Sequence, residues 1–360
     1  MTQQETIITT SGLAIPRTLD EAIDPAWLGE ALAPGAGAGA VAQVQVTEVV
    51  KAMASKVRIG VRFADEPERV HHYCLKAFLD SDLDLQSTGE VTTRESNFYT
   101  RIAPHLSMRV PACPAVVTDE SGQAIMIMED IIAKGGSFCD TLQPLTVEQA
   151  RETLDQLARL HAGSSLLEDN PWIPRGMDWM AESRHFPQAL IQERMDDGRG
   201  EGLPPATLDA GNLLASLRVL ADRSRAGPQT MVHGDSHIGN IYQSAQGLGF
   251  ADWQLIKSAN WAVDIAYHIG CVLPVDVAER HERELLLYYL DALGRHGGDP
   301  VDADTAWDEY CCATPYGYYL WAITARVEYS RTCENFQRLG AAVTRSDAYR
   351  RLGIANGGAG

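Results

Sequence analysis

Residues Val232–Trp253 read VHGDSHIGNIYQSAQGLGFADW, which sets Asp235, an asparagine five residues later (Asn240), and a second aspartate, Asp252, behind an apolar run. This H-x-D-x-x-x-x-N loop followed by a strand-terminal aspartate is the spacing of a magnesium-dependent phosphoryl-transfer site. Asp235 is placed to accept a hydroxyl proton. Asn240 and Asp252 offer oxygen ligands to the Mg²⁺ that neutralises nucleotide phosphates. Taken singly, either could be a capping or turn residue; the two in this spacing favour the metal role.

Where a protein kinase carries Asp-Phe-Gly this chain has Asp252-Trp253-Gln254, and where it carries His-Arg-Asp this chain has His233-Gly234-Asp235. Both departures point toward small-molecule kinases. In HGDSHIGN and ADWQ, with support from element order over roughly residues 40 to 340, the chain resembles the aminoglycoside phosphotransferase superfamily, and most closely its ecdysteroid kinase-like (CHK kinase-like) branch. The resemblance implies an α+β, bilobal protein kinase-like fold. Without the arginine that reads activation-loop phosphorylation, it also implies a constitutively assembled site.

The composition suits this reading. A chain of 360 residues, 45% hydrophobic and 22% charged, fits two lobes sharing a cleft. Its N-terminus has no basic region followed by an apolar run, and no stretch approaches the roughly 18 apolar residues of a membrane span, so a cytoplasmic protein with no membrane partner is expected. Seven cysteines, Cys311 and Cys312 adjacent, form neither a disulfide framework nor a C-x-x-C pattern, and reduced thiols are expected. A net charge of -18 argues against a nucleic-acid partner, which needs clustered Lys and Arg. The acidity reads first as solubility and second as a preference for a cationic substrate.

Asp24-Pro25 ahead of Ala26, Trp27 and Leu28 predicts a helix with Asp24 as N-cap, broken by a connector, PGAGAGA, at residues 34–40. Alternation then predicts three antiparallel strands, around Val44 and Val46, Val57 to Phe63, and Tyr73 to Lys76. A helix around Thr93–Ile102 and an apolar strand at Ala124–Met128 follow. From Thr146 the spacing turns helical, opened by a Thr146-x-x-Gln149 capping box. The boundary is expected near residues 129–134, giving an N-lobe over 1–130 and a helical C-lobe over 131–360.

The resemblance assigns further roles. Lys76, in HYCLKAF, matches the lysine that contacts the α- and β-phosphates, with Glu95 as its ion-pair partner; a surface lysine, and a Thr92-x-x-Glu95 capping box, are the rival readings. Met128, Glu129 and Asp130 fall where a hinge strand meets adenine. His233 is expected to hydrogen-bond the loop backbone, and Asp264 to brace the loop by accepting its N–H groups. The phosphate-covering turn departs from the pattern, since VVKAMASKV has no glycine from Val49 to Val57; Lys51, Ser55 and Lys56 offer donors there instead. Tyr316, Tyr318, Tyr319 and Trp321, with Trp253 and Trp261, read as core, or alternatively as an acceptor pocket suited to an apolar hydroxylated molecule.

The expectation is therefore a kinase that moves the γ-phosphoryl group of ATP, or of GTP, to a hydroxyl of a small organic substrate, with Mg²⁺ as cofactor and Asp235 as base. Its rivals are a non-catalytic nucleotide-binding scaffold, suggested by the glycine-free turn, and a metal-dependent hydrolase, suggested by His233-x-Asp235-x-His237.

Overall fold

The computed structural model describes residues 8–36, 40–51, 54–80, 85–120, 122–182 and 185–354. The chain divides into two compact units. One comprises Met1–Ser137, Ser244–Gly247 and Ala251–Leu255; the other comprises Phe138–Gln243, Leu248–Phe250 and Ile256–Gly360.

In the first unit, strands β1 (Ile8–Ser11), β2 (Val41–Val50), β3 (Ser55–Phe63), β4 (His71–Ala77), β5 (Ala115–Thr118) and β6 (Ala124–Glu129) form one sheet in the order β1-β5-β6-β4-β3-β2. Every neighbouring pair is antiparallel except β1 on β5, which is parallel. The period-two spacing of Val57, Ile59, Val61 and Phe63 puts β-branched and aromatic side chains into a core shared with Leu75, Ile125, Ile127 and Leu28, as a half-buried pleated surface requires. The helix Pro25–Ala36 starts at its expected cap, with Ala26 and Trp27 N–H donating to Asp24 Oδ1 at 2.9 and 3.0 Å.

Three local expectations are corrected. The helix placed around Thr93–Ile102 begins earlier and spans Leu85–Asn97, passing into a π-helical turn at Phe98–Ile102. Glu95 thus lies in its last turn, which rules out a capping box, and the Thr92 hydroxyl donates to the Gly122 carbonyl (3.4 Å). The first helix runs on to Ala36 instead of breaking at Pro34, and residues 37–39 of the expected connector lie outside the described residues. Strands β1 and β5 had no period long enough to announce them.

The second unit is mainly helical. Thr146 and Gln149 form the expected capping box at the head of the helix Val147–Ala162. The helix Ala262–Val272 is buried at every residue, so it is the unit's central element; helices Val275–Arg295, Ala303–Ala313, Pro315–Ala322 and Tyr329–Arg345 pack on it. Strands β7 (Ser137–Phe138), β9 (Ile241–Ser244) and β10 (Gly247–Phe250) form a small sheet, and β8 (Thr230–Val232) pairs antiparallel with β11 (Lys257–Ala259). The loop carrying Asp235 and Asn240 joins β8 to β9.

Candidate active site

Asp264, in the first turn of the central helix, ties down the entry to this loop. Its Oδ2 accepts the His233 N–H (2.6 Å), its Oδ1 accepts the Gly234 N–H (2.9 Å), and its backbone carbonyl accepts the Ser236 hydroxyl (3.0 Å). Burial works against the charge, yet His161 Nε2, 3.2 Å from Oδ2, and the Gly234 amide hold the Asp264 carboxyl below the ordinary aspartate range. His161 is set by Tyr289, whose hydroxyl lies 2.7 Å from Nδ1. Gly234 turns with φ +78°, a region open to glycine at no steric cost. Further along, His268 spans from Ser236 O (Nδ1, 2.9 Å) to Thr153 Oγ1 (Nε2, 2.7 Å), and burial pushes its imidazole down to about 4.

Asp235 follows, with its side chain 26% exposed. Its amide donates to His233 Nδ1 (3.2 Å), while Oδ2 accepts from Asn240 Nδ2 (3.1 Å) and Oδ1 from the Tyr267 hydroxyl (3.2 Å). Asn240 Nδ2 also donates to the Asp235 carbonyl (2.8 Å). Both bonds use the amide nitrogen, which leaves Oδ1 as the atom suited to a hard cation. His237 Nδ1 accepts the Gly239 N–H (3.0 Å), which puts its proton on Nε2, 3.7 Å from Asp235 Oδ2. Both histidines of the His-x-Asp-x-His run thus spend Nδ1 on loop backbone. Among the described residues no group of three His, Cys, Asp or Glu could hold a metal, so the hydrolase reading loses its ligand cluster.

A second constellation lies in the first unit. Lys76 on β4 is buried, and its Nζ lies 2.7 Å from Glu95 Oε2, 2.9 Å from Glu95 Oε1 and 2.9 Å from Asp252 Oδ1. Burial disfavours the Lys76 charge, but the carboxylates of Asp252 and Glu95 outweigh it and hold the ammonium above the ordinary lysine range. Burial pushes the Glu95 carboxyl up, against the pull of Lys76 and with the push of Asp252. Lys56, directly opposite Lys76 on β3, reaches Asp252 Oδ2 at 3.4 Å. Asp252 takes a left-handed backbone, φ +67°, uncommon for a residue with a Cβ. The triplet is pinned on both sides. The Trp253 N–H donates to Glu95 Oε1 (3.2 Å), its ring stacks on Phe98 (3.6 Å, 9°), and Arg94 donates to the Gln254 carbonyl (3.0 Å).

The remaining residues expected to meet the nucleotide carry structural bonds of their own. Met128 and Glu129 pair with Cys74 and Tyr73 in the sheet. Glu129 N–H donates to Ala112 O (2.9 Å), and Glu129 Oε1 accepts Ala112 N–H (2.7 Å). The buried Asp130 carboxylate accepts from Ile132 N, Ala133 N and Arg58 Nε at 3.0, 3.1 and 2.9 Å. Ser55 donates to Leu79 O (3.3 Å). Residues 52 and 53 of the glycine-free turn lie outside the described residues.

Sequence reasoning missed Tyr267, His161, His268 and Lys257. Asp264, Tyr267 and His268 stand at i, i+3 and i+4 of one helix, a face-sharing pattern that could have singled them out. Of the aromatic cluster, Tyr316, Tyr318 and Tyr319 are fully buried, as is Trp253, and Trp261 stacks on Tyr289.

An antiparallel-rich sheet unit carrying a Lys-Glu-Asp cluster and a helical unit carrying a braced H-G-D-x-x-x-x-N loop define a phosphotransferase of the protein kinase-like fold. The chain belongs to the phosphotransferase enzyme family, whose profile matches residues 80–310; this is the aminoglycoside phosphotransferase superfamily expected from HGDSHIGN. In structure it is similar to an ethanolamine kinase from Plasmodium vivax (13% identity, TM-score 0.51, covering 83% of this chain and 81% of that one). It is also similar to a choline kinase from Cryptosporidium parvum (14% identity, TM-score 0.50, covering 86% and 89%). At these identities the likeness is one of fold. No curated protein matches the chain in sequence. Among the described residues no helix is long and apolar enough to cross a membrane.

Proposed function

We propose that this phosphotransferase is a small-molecule kinase that transfers the γ-phosphoryl group of ATP, or of GTP, to a hydroxyl of a small organic acceptor, with Asp235 as the base. The observation that carries the reading is the Asp235 carboxylate itself: partly exposed, fixed by one donor on each oxygen, on a loop braced by a buried carboxylate. In the step, the acceptor O–H proton passes to Asp235 as the acceptor oxygen bonds to the γ-phosphorus. The bond to the β–γ bridging oxygen breaks and the nucleoside diphosphate leaves with that electron pair.

Mg²⁺ fits the donor set, with the Asp252 carboxylate and Asn240 Oδ1 as its protein ligands, and when bound it would neutralise the phosphate oxygens. Lys76, oriented by Glu95, would hold the α- and β-phosphates. Ser55 and the turn around it would cover them. The backbone of Met128, Glu129 and Asp130 would receive the base, apart from the Glu129 amide already bonded to Ala112. His233 and Asp264 support the loop. We retain the division at residues 130 and 131, the ecdysteroid kinase-like branch, an apolar hydroxylated acceptor and a cytoplasmic setting as parts of this proposal. Ethanolamine and choline, the substrates named for the two structural relatives, belong in the acceptor screen. The glycine-free turn favours one alternative, a nucleotide-binding scaffold without turnover.

Asp235→Asn tests the reading. It keeps the shape and deletes the proton acceptor, so turnover should fall by about 10²-fold or more while Mg-nucleotide affinity holds. Undiminished transfer would remove Asp235 from the role of base, and nucleotide binding without transfer across a broad acceptor panel would favour the scaffold.

A further inference from the structure

We infer that Tyr267, set by Trp321, is the positioning residue that fixes the Asp235 carboxylate for transfer; the inference rests on Asp235 being the proton acceptor. Trp321 Nε1 donates to the Tyr267 hydroxyl at 2.8 Å, and that hydroxyl lies 3.2 Å from Asp235 Oδ1. An indole N–H can only donate. The phenol oxygen must therefore accept from it, and its single proton has Asp235 as its destination. With Asn240 on the other oxygen, the carboxylate carries a donor at each end, which fixes the plane of the group and the direction of its remaining lone pairs.

The surroundings enforce the arrangement. Tyr267 and Trp321 are both buried. The Tyr267 ring lies against Gly317, where a Cβ would stand 2.3 Å from Cδ2; the glycine of PYGYYLW is what admits the ring. Burial, then the nearby Asp235 charge, raise the Tyr267 phenol well above its ordinary range, so it remains a donor at any working pH. A second phenol repeats the design one peptide earlier. Lys257, a donor-only ammonium, bonds the Tyr316 hydroxyl (2.8 Å), and that hydroxyl donates to Gly234 O (2.6 Å). The peptide leading into Asp235 and the Asp235 side chain are thus each held by a tyrosine whose acceptor side is already filled. Proton transfer between oxygens depends on lone-pair direction, and a carboxylate free to rotate loses the near-attack geometry.

Mg-ATP with water as the acceptor serves as the probe: ADP release reports turnover and calorimetry with Mg-ADP reports affinity. Tyr267→Phe should lower turnover about tenfold, the worth of roughly one hydrogen bond to a charged group, with Mg-ADP affinity unchanged and the melting temperature lowered, because the buried Trp321 indole N–H loses its acceptor. Trp321→Phe should lose less, and the double variant should be no worse than Tyr267→Phe alone, because the indole acts only through the phenol. Additive losses, or full turnover in Tyr267→Phe, overturn the inference; full turnover in Asp235→Asn overturns the underlying assignment instead. A measurement independent of turnover follows the Trp321 indole N–H resonance, identified by its loss in Trp321→Phe. It should move in Tyr267→Phe and in Asp235→Asn, and an indole blind to Asp235→Asn would break the chain.

Discussion

The loop of the second unit and the charged cluster of the first are held in opposite ways. In the loop, one buried carboxylate, Asp264, and a set of neutral donors satisfy the backbone around Asp235; none of these bonds has to change when a substrate arrives. In the cluster, two ammonium groups and two carboxylates balance one another, with Asp252 shared by Lys56 and Lys76. Directly opposite lysines on neighbouring strands repel, and this pair is tolerated because a carboxylate sits against both. On the proposed function this cluster would exchange partners, a phosphate taking the place of a carboxylate beside lysine and a metal ion the place of an ammonium beside aspartate. One region is preorganised; the other is poised.

Breaking the fixed region should have the largest effect. Asp264→Ala strands two buried amides and removes the partner of His161, which should cost about 4 kcal/mol of stability. Urea unfolding measures it. A loss below about 1 kcal/mol would mean that the loop is held by packing instead.

The same region should respond to acid. His268 sits at about 4 in the fold against about 6.5 in an unfolded chain, so the unfolded state takes the proton first and stability is lost as pH falls from about 6.5 to about 4. The shift is worth about 3 kcal/mol. Asp264, depressed in the fold, acts in a lower window: its contribution is present above the unfolded aspartate value and is lost as pH falls through its folded one. Subtracting the pH profile of His268→Gln from that of the parent isolates the first step, and a flat difference between pH 6.5 and 4 would show that His268 is not held neutral.

What the sequence made legible follows from how local each signal is. The Asp24 and Thr146 caps and the alternation of β3 act within a few residues, and the elements they predict are present; the H-G-D-x-x-x-x-N spacing is equally local and places Asp235 and Asn240 in contact on one loop. The meeting of Lys76 with Glu95, 19 residues apart, was legible through the family resemblance rather than through any pattern in the chain. Trp321 reaches Tyr267 across 54 residues, and β1 joins β5 across more than a hundred; neither leaves a periodic trace. Glu95 shows a local motif overridden, because Thr92-x-x-Glu95 has capping-box spacing but falls inside a helix that began at Leu85. The tyrosines of PYGYYLW mixed two roles that spacing alone does not separate. Tyr318 and Tyr319 are core, whereas Tyr316 is equally buried and spends its hydroxyl on the loop.

The smallest effect tests whether the poised region works by exchange. At ~100 times its dissociation constant, Mg-ATP should stabilise the parent by roughly 2.7 kcal/mol. Lys76→Ala should remove most of that increment, but it also leaves Glu95 buried without its cation, so the nucleotide-induced rise must be compared, not the absolute melting temperature. Lys56→Ala is the sharper variant, because the Lys56 side chain is 38% exposed and its pairing with Asp252 contributes at most about 1 kcal/mol to the free protein. If Lys56 turns from Asp252 to phosphate once metal and nucleotide arrive, Lys56→Ala should weaken Mg-ATP about three- to fivefold, roughly the worth of one exposed charge pair. Adenosine affinity should be untouched. Equal losses for ATP and adenosine would mean that the substitution deforms the β2–β3 turn. No loss for either would leave Lys56 as a surface partner of Asp252, and the charge supplied to phosphate would then come from Lys76 alone.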